Sequence, residues 1–295
     1  MVVERIFPLK EMWRKPWRVT GLGFIFVCVS VILANMAHQP PMGFFIVALT
    51  VIPAIPFFLK MTICEERGEE TYIAFVSATP KSRFGKVAEG ITSIYNHIIK
   101  LYAYFFFGCI IGFAFTSSIM SEQASKSMFS DLQFTSTGVS DVSFWGIFLH
   151  NFKLMLIMVV FSIVYSVGAV FLLVLNAAVI GIFLETGIRQ NLINYSSLGM
   201  LSYPAAFGVG SFEGILRLLP HGIWEFSGFF IASVAGGIIS VAIERKAYKR
   251  ADITKLMLVD IAKLLILATL LIAAGAFIES TLYPVLETML PSFLK

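Results

Sequence analysis

The chain is 295 residues long, 58% hydrophobic and only 14% charged, with 29 phenylalanines and a formal net charge of +4. A soluble domain carries roughly 25% charged residues, so long uncharged runs on this scale read as an all-α polytopic helical membrane protein. They exclude a transmembrane barrel, whose short strands alternate. The positive charge comes with no nucleic-acid motif, so nucleic acid is not an expected partner.

In chain order, Arg5, Lys10, Arg14, Lys15 and Arg18 precede an apolar region over 19–37. That region is too long for a signal-peptide core and no A-x-A-like site follows it, so it reads as a retained signal anchor. Trp13 and Trp17 border it as interface anchors. His38-Gln39-Pro40-Pro41 closes a hairpin onto a second region, 43–59. Residues 1–60 therefore form a basic segment and a transmembrane hairpin. Residues 61–97 are expected to be a cytoplasmic loop. Within it, Phe84, Val87, Ile91 and Ile94 (then Ile98) follow helical spacing after Lys81, Arg83 and Lys86, which predicts an interfacial amphipathic helix.

Residues 98–295 make up the remaining membrane domain, with apolar regions at 98–115, 152–183, 226–243 and 261–283. A bilayer core needs about 20 helical residues, and 152–183 exceeds that. It contains Gly168, Asn176 and Gly181, so it is expected to be two helices joined by a break. About seven membrane segments result. The N-terminus, 60–96 and 244–260 carry five basic residues each, whereas 117–151 has only Lys126. The positive-inside rule then places the N-terminus inside, 117–151 outside and the C-terminus outside.

Polar residues at membrane depth are the candidate sites: Asn176, Glu185, His221, Glu225, Asp260 and Glu279. Asn176 is expected at the break, where it can satisfy freed backbone groups or line a transport path. Glu185, Asp260 and Glu279 lie near segment ends and are expected to reach the interface. His221 and Glu225 are four apart, so on a helix they share one side. Pro220 suits a helix start, which puts the pair at the mouth of the 226–243 span. A proton relay, half of a metal site and an inter-helix bond are all open, with a packing role carrying the most weight. Two ligands on one helix do not make a zinc site, and no metal or cofactor is expected. Cys28, Cys64 and Cys109 are scattered and give no disulfide or zinc pattern.

Catalytic motifs are lacking. Glu65-Glu66, Arg67 and Glu69-Glu70 resemble the glutamate-rich motif of CAAX-type intramembrane proteases, but the arginine spacing is wrong and no companion motif follows. There is no G-x-S-x-G, H-E-x-x-H or P-loop. The balance favours a non-enzymatic role.

From about residue 98 onward the order of features resembles the stage II sporulation protein M family. The resemblance rests on the entry Phe148-Leu149-His150-Asn151-Phe152 and on Leu175-Asn176-Ala177-Ala178-Val179-Ile180-Gly181. It continues through Pro220-His221-Gly222-Ile223-Trp224-Glu225 and Ala273-Ala274-Gly275-Ala276-Phe277-Ile278-Glu279. The motif positions are thus Asn176, Gly181, Pro220, His221, Gly222 and Glu225. The extra N-terminal hairpin departs from the five-span sporulation members and points to a relative outside the sporulation system. The resemblance implies a non-enzymatic membrane component; in sporulating bacteria it works with cell-wall hydrolases during engulfment.

Three functions follow. The first is a scaffold that positions partners through 117–151 and 187–219. The second is a transporter or channel subunit using a polar site around Asn176, His221 and Glu225. Intramembrane hydrolysis has the least support. The lipid bilayer is an expected partner; membrane or cell-envelope proteins and a homo-oligomer remain open.

Overall fold

A computed structural model describes residues 15–37, 42–77, 83–132, 143–165, 169–244 and 251–282. Among the described residues there are helices and no strand. The long helices are α1 (Arg18–Ala37), α2 (Met42–Ser77), α3 (Arg83–Ile119), α5 (Phe144–Tyr165), α6 (Ala169–Asn194), α7 (Ser202–Glu244) and α8 (Ala251–Phe277). A short α4 (Glu122–Met128) follows α3. A 3-10 segment (Ser196–Leu201) joins α6 to α7, and a π-helical turn (Ile278–Leu282) follows α8.

Five described stretches are long and apolar enough to cross a bilayer: Arg18–Ala37, Lys100–Ile119, Phe144–Phe161, Val170–Asn194 and Leu258–Thr281. Met42–Phe58 is a shorter apolar helix. The chain is a multi-pass membrane protein. Large apolar side chains face outward, as in Ile32 and Met36 on α1 and Ile266 and Leu270 on α8. That distribution suits a lipid solvent, where outward apolar groups carry no penalty.

Helix α3 forms the centre. Of its span 67% is buried, against 28% for Phe144–Phe161 and for Leu258–Thr281. Aromatic rings fill the space around it. Phe58 stacks on Tyr102 at 4.5 Å and meets Phe105 edge-on at 5.1 Å, while Phe106 receives Phe226 and Phe230 from α7 at 5.1 and 5.4 Å. Such pairs contribute about 0.5–1.5 kcal/mol each beyond the area they bury.

Lipid tails are as apolar as leucine, so helices associate through close packing at small residues. At Gly108 on α3 a Cβ would overlap the backbone carbonyl of Thr20 on α1. At Gly210 on α7 it would lie 2.6 Å from the backbone of Ile188 on α6. In both places a methyl group forces the helices apart.

Four expectations change. The region 152–183 does divide into two helices, α5 and α6, but Asn176 and Gly181 lie inside α6. Gly181 serves packing: a Cβ there would come within 2.5 Å of Phe113 Cβ and 2.9 Å of the Ala114 nitrogen. Within 61–97 a helix is expected only from about residue 81; α3 does begin at Arg83 and runs unbroken into its span, but α2 also continues as helix to Ser77. Residues 187–219 are not a loop either, because α6 ends at Asn194 and α7 starts at Ser202. Pro220 is therefore interior to a 43-residue helix, where proline removes a hydrogen bond and favours a bend. That helix is about 64 Å long, twice a bilayer core. Its Phe207 touches Phe115 and its Phe226 touches Phe106, so about 28 Å of α7 is matched by about 14 Å of α3. Helix α7 thus crosses the central helix obliquely. Trp13, the turn over 38–41, residues 133–142, the basic cluster 245–250 and the C-terminal tail lie outside the described residues.

The glycine contacts predict a paired outcome. Gly108→Ala should lower stability in detergent by about 1–3 kcal/mol, the range for overpacking a tight contact. Gly21→Ala, where a Cβ meets nothing within 4 Å, should leave the unfolding midpoint unchanged or raise it slightly.

Candidate functional site

Two buried carboxylates organise the polar groups of the bundle. The first is Glu225, 7% exposed, in the middle of α7. A carboxylate in an apolar interior needs hydrogen-bonded partners to offset lost hydration. Asn151 on α5 supplies one: its Nδ2 donates to Glu225 Oε1 at 2.7 Å. Helix α8 closes the third side at Gly275, where a Cβ would collide with Glu225 Cγ and lie 3.2 Å from the His221 carbonyl oxygen. Only a glycine lets α8 pass this close.

Glu279 lies one turn beyond Gly275, in the π-helical turn that contacts α5 and α7. Its carboxyl group interacts electrostatically with Glu225. His221 is half-buried one turn before Glu225. His221, Glu225 and Glu279 therefore come together where α5, α7 and α8 meet. Asn176 does not join them; it is half-buried in α6, and no hydrogen bond links it to the cluster among the described residues. Residue placement along α7 corrects the expected helix-mouth position, because 202–219 is already helical and packs on α6.

The second carboxylate, Glu185 on α6, is 6% exposed and is buried against its neighbours. Arg189, one turn on, donates from Nε to Glu185 Oε1 at 2.6 Å. The other oxygen, Oε2, accepts from Ser125 Oγ on α4 at 2.8 Å. The same guanidinium donates to the carbonyl oxygens of Ser117 and Met120, each at 2.8 Å. Those carbonyls end α3 and have no intrahelical donor, so Arg189 both neutralises a buried acid and caps the central helix.

The segment after α3 is tied down at further points. Ser121 caps α4 by accepting from the Ala124 nitrogen at 3.3 Å. Asp131 accepts from the nitrogens of Gly43 and Phe44, at 3.0 and 2.8 Å, at the start of α2. A carboxylate there satisfies two of the unpaired N–H groups of that helix. Residues 117–132 thus form a cap over one end of the bundle. Its surface exposes Glu122, Gln123, Lys126, Ser127 and Ser130. Lys126 bonds Glu122 at 2.5 Å and holds its carboxyl below the ordinary range. An exposed pair of this kind adds little stability.

Asn151, Arg189, Ser125 and Asp131 were missed as site residues. Arg189 had a local signal, a basic residue four after Glu185 (an i,i+4 pair). Asn151 and Asp131 act through partners far away in the chain. Asp260 makes an ion pair with Lys263 at 3.0 Å, with the lysine mostly exposed. Among the described residues no three His, Cys, Asp or Glu side chains form a metal-holding group.

Replacing Glu225 tests the first cluster. Glu225→Ala leaves the buried Asn151 amide without its acceptor and should cost about 1–3 kcal/mol of stability in detergent. Glu225→Gln keeps a carbonyl oxygen in place and should unfold within a few tenths of that scale of wild type.

The family model described as Stage II sporulation protein M matches residues 101–284, more than half of the chain. No curated protein and no solved structure gives a match.

Proposed function

The chain belongs to the stage II sporulation protein M family, and from that membership we propose that it is a non-enzymatic membrane scaffold, which holds a partner against the cap formed by residues 117–132. The observation that carries this reading is the anchoring of the cap. Ser125, Asp131 and the end of α3 are each fixed to a different part of the bundle. A surface fixed in advance binds without the entropy cost of ordering a loop. Its exposed face is polar, as suits the rim of a transient protein interface. We also propose seven membrane segments with the N-terminus inside and the cap outside, in line with the basic residues of the N-terminus, 60–96 and 244–260 and their scarcity in 117–151.

The cap face predicts a specific loss. The protein extracted from its own membrane in mild detergent should carry a second protein at fixed stoichiometry, measured by native mass spectrometry. The charge-reversed double variant Glu122→Lys, Lys126→Glu keeps the internal pair and should lose that partner. A chain that emerges alone, or a partner retained by the variant, contradicts the scaffold.

A second reading, a transporter or channel subunit, is favoured by the convergence of Glu225, Glu279 and His221 within a multi-pass bundle. It requires ion or proton flux in proteoliposomes that Glu225→Gln removes. Flux absent from the wild type, or unchanged in the variant, excludes it.

A further inference from the structure

The connection between α6 and α7 has an unusual surface. From Gln190 to Phe212, between Arg189 and Glu213, no residue is charged. Yet several of its apolar side chains are well exposed. Met200 is 96% exposed, Ile193 76%, Leu201 67%, Phe212 62% and Leu198 48%. An apolar surface of this extent marks an interaction site.

We infer that this connection, residues 193–201 with Phe212 beside it, is embedded in the lipid leaflet at the capped end and is not an aqueous loop. Three observations converge on lipid as the occupant. First, the apolar surface continues that of a membrane span, because the candidate span Val170–Asn194 ends at the turn and Phe183 on the same helix also faces outward. On the α7 side, Leu216 and Leu219 extend it.

Second, the turn uses up backbone groups internally, which lipid demands and water does not. The Tyr195 nitrogen donates to Asn191 O at 2.9 Å, the Leu198 nitrogen to Tyr195 O at 3.0 Å, and the Ser202 nitrogen to Gly199 O. Third, the chain reverses through Gly199 at φ 58°, the left-handed region that glycine enters without strain. The reversal at Gly199 is therefore made without a charged or amide residue at that point, Met200 is left projecting at the tip, and the exposed Asn194 amide lies at the α6 end of the connection. Tyr195 and the hydroxyls of Ser196 and Ser197 provide polar groups for the headgroup region.

The inference is independent of the scaffold reading, whose partner surface is the cap. A fluorescent NBD label tests it in phosphatidylcholine nanodiscs, at Met200→Cys in the full chain with Cys28, Cys64 and Cys109 replaced by alanine. Ser130→Cys serves as an aqueous reference and Ile32→Cys as a lipid-facing one, both being exposed positions. Doxyl-labelled phosphatidylcholine should quench the Met200 label at least twofold more than the Ser130 label. Aqueous iodide should quench it no more than half as well. Iodide quenching equal to that at Ser130 overturns the inference. So does shielding from both quenchers, which would assign the surface to a second copy or another protein. Leu201→Cys gives the same readout if the Met200 variant does not fold.

Discussion

A carboxylate buried in an apolar bundle must be met by donors, and Glu185 is met from two directions. Its two oxygens take Arg189 and Ser125, and the guanidinium, held in place by that pairing, reaches on to the last carbonyls of α3. The pair of side chains thus links three elements: α6, the end of the central helix and α4. Breaking one partner of such a pair leaves an uncompensated charge, which costs far more than the pair contributes when whole. The cap keeps its shape because its alternatives leave that buried charge without its partners.

The same logic operates at Glu225, with a different result. There the donor is neutral Asn151, the neighbours are an acid and a histidine, and Gly275 brings α8 against the carboxylate. The outcome is a joint among α5, α7 and α8. Between the two carboxylates runs α7, which packs on α6 near its start and on α8 near its end. It passes from one group of helices to the other, with Pro220 between them.

Much of this was legible beforehand. Long uncharged runs fixed the helical membrane class, and the excess length of 152–183 required two helices. The ordered motifs gave the family. Other features were hidden for physical reasons. Residues 202–219 contain Pro204, three glycines and both charges of Glu213 and Arg217, so no uniform apolar run announced a helix. Gly210 and Gly214, which weaken helix propensity, are the ones that admit α6. Pro220 therefore looked like a helix start when it is an interior bend. The polar stretch over 61–77 showed no apolar run and read as a loop, though its glutamates and Arg67 are good helix formers. The burial of Glu185 was hidden because its position near a span end said nothing of Arg189 folding back over it. Asn151 and Asp131 find partners 74 and 87 residues away, and spacing arguments do not reach that far.

The central claim is that the Glu185–Arg189 pair holds the cap as a fixed surface. Hydrogen–deuterium exchange on the membrane-embedded protein reads this directly at the amides of residues 117–132. In Arg189→Ala the account predicts at least tenfold faster exchange across that stretch, while the centre of α3 around Phe105 and Phe106 stays protected. Unchanged protection of 117–132 in the variant would contradict it.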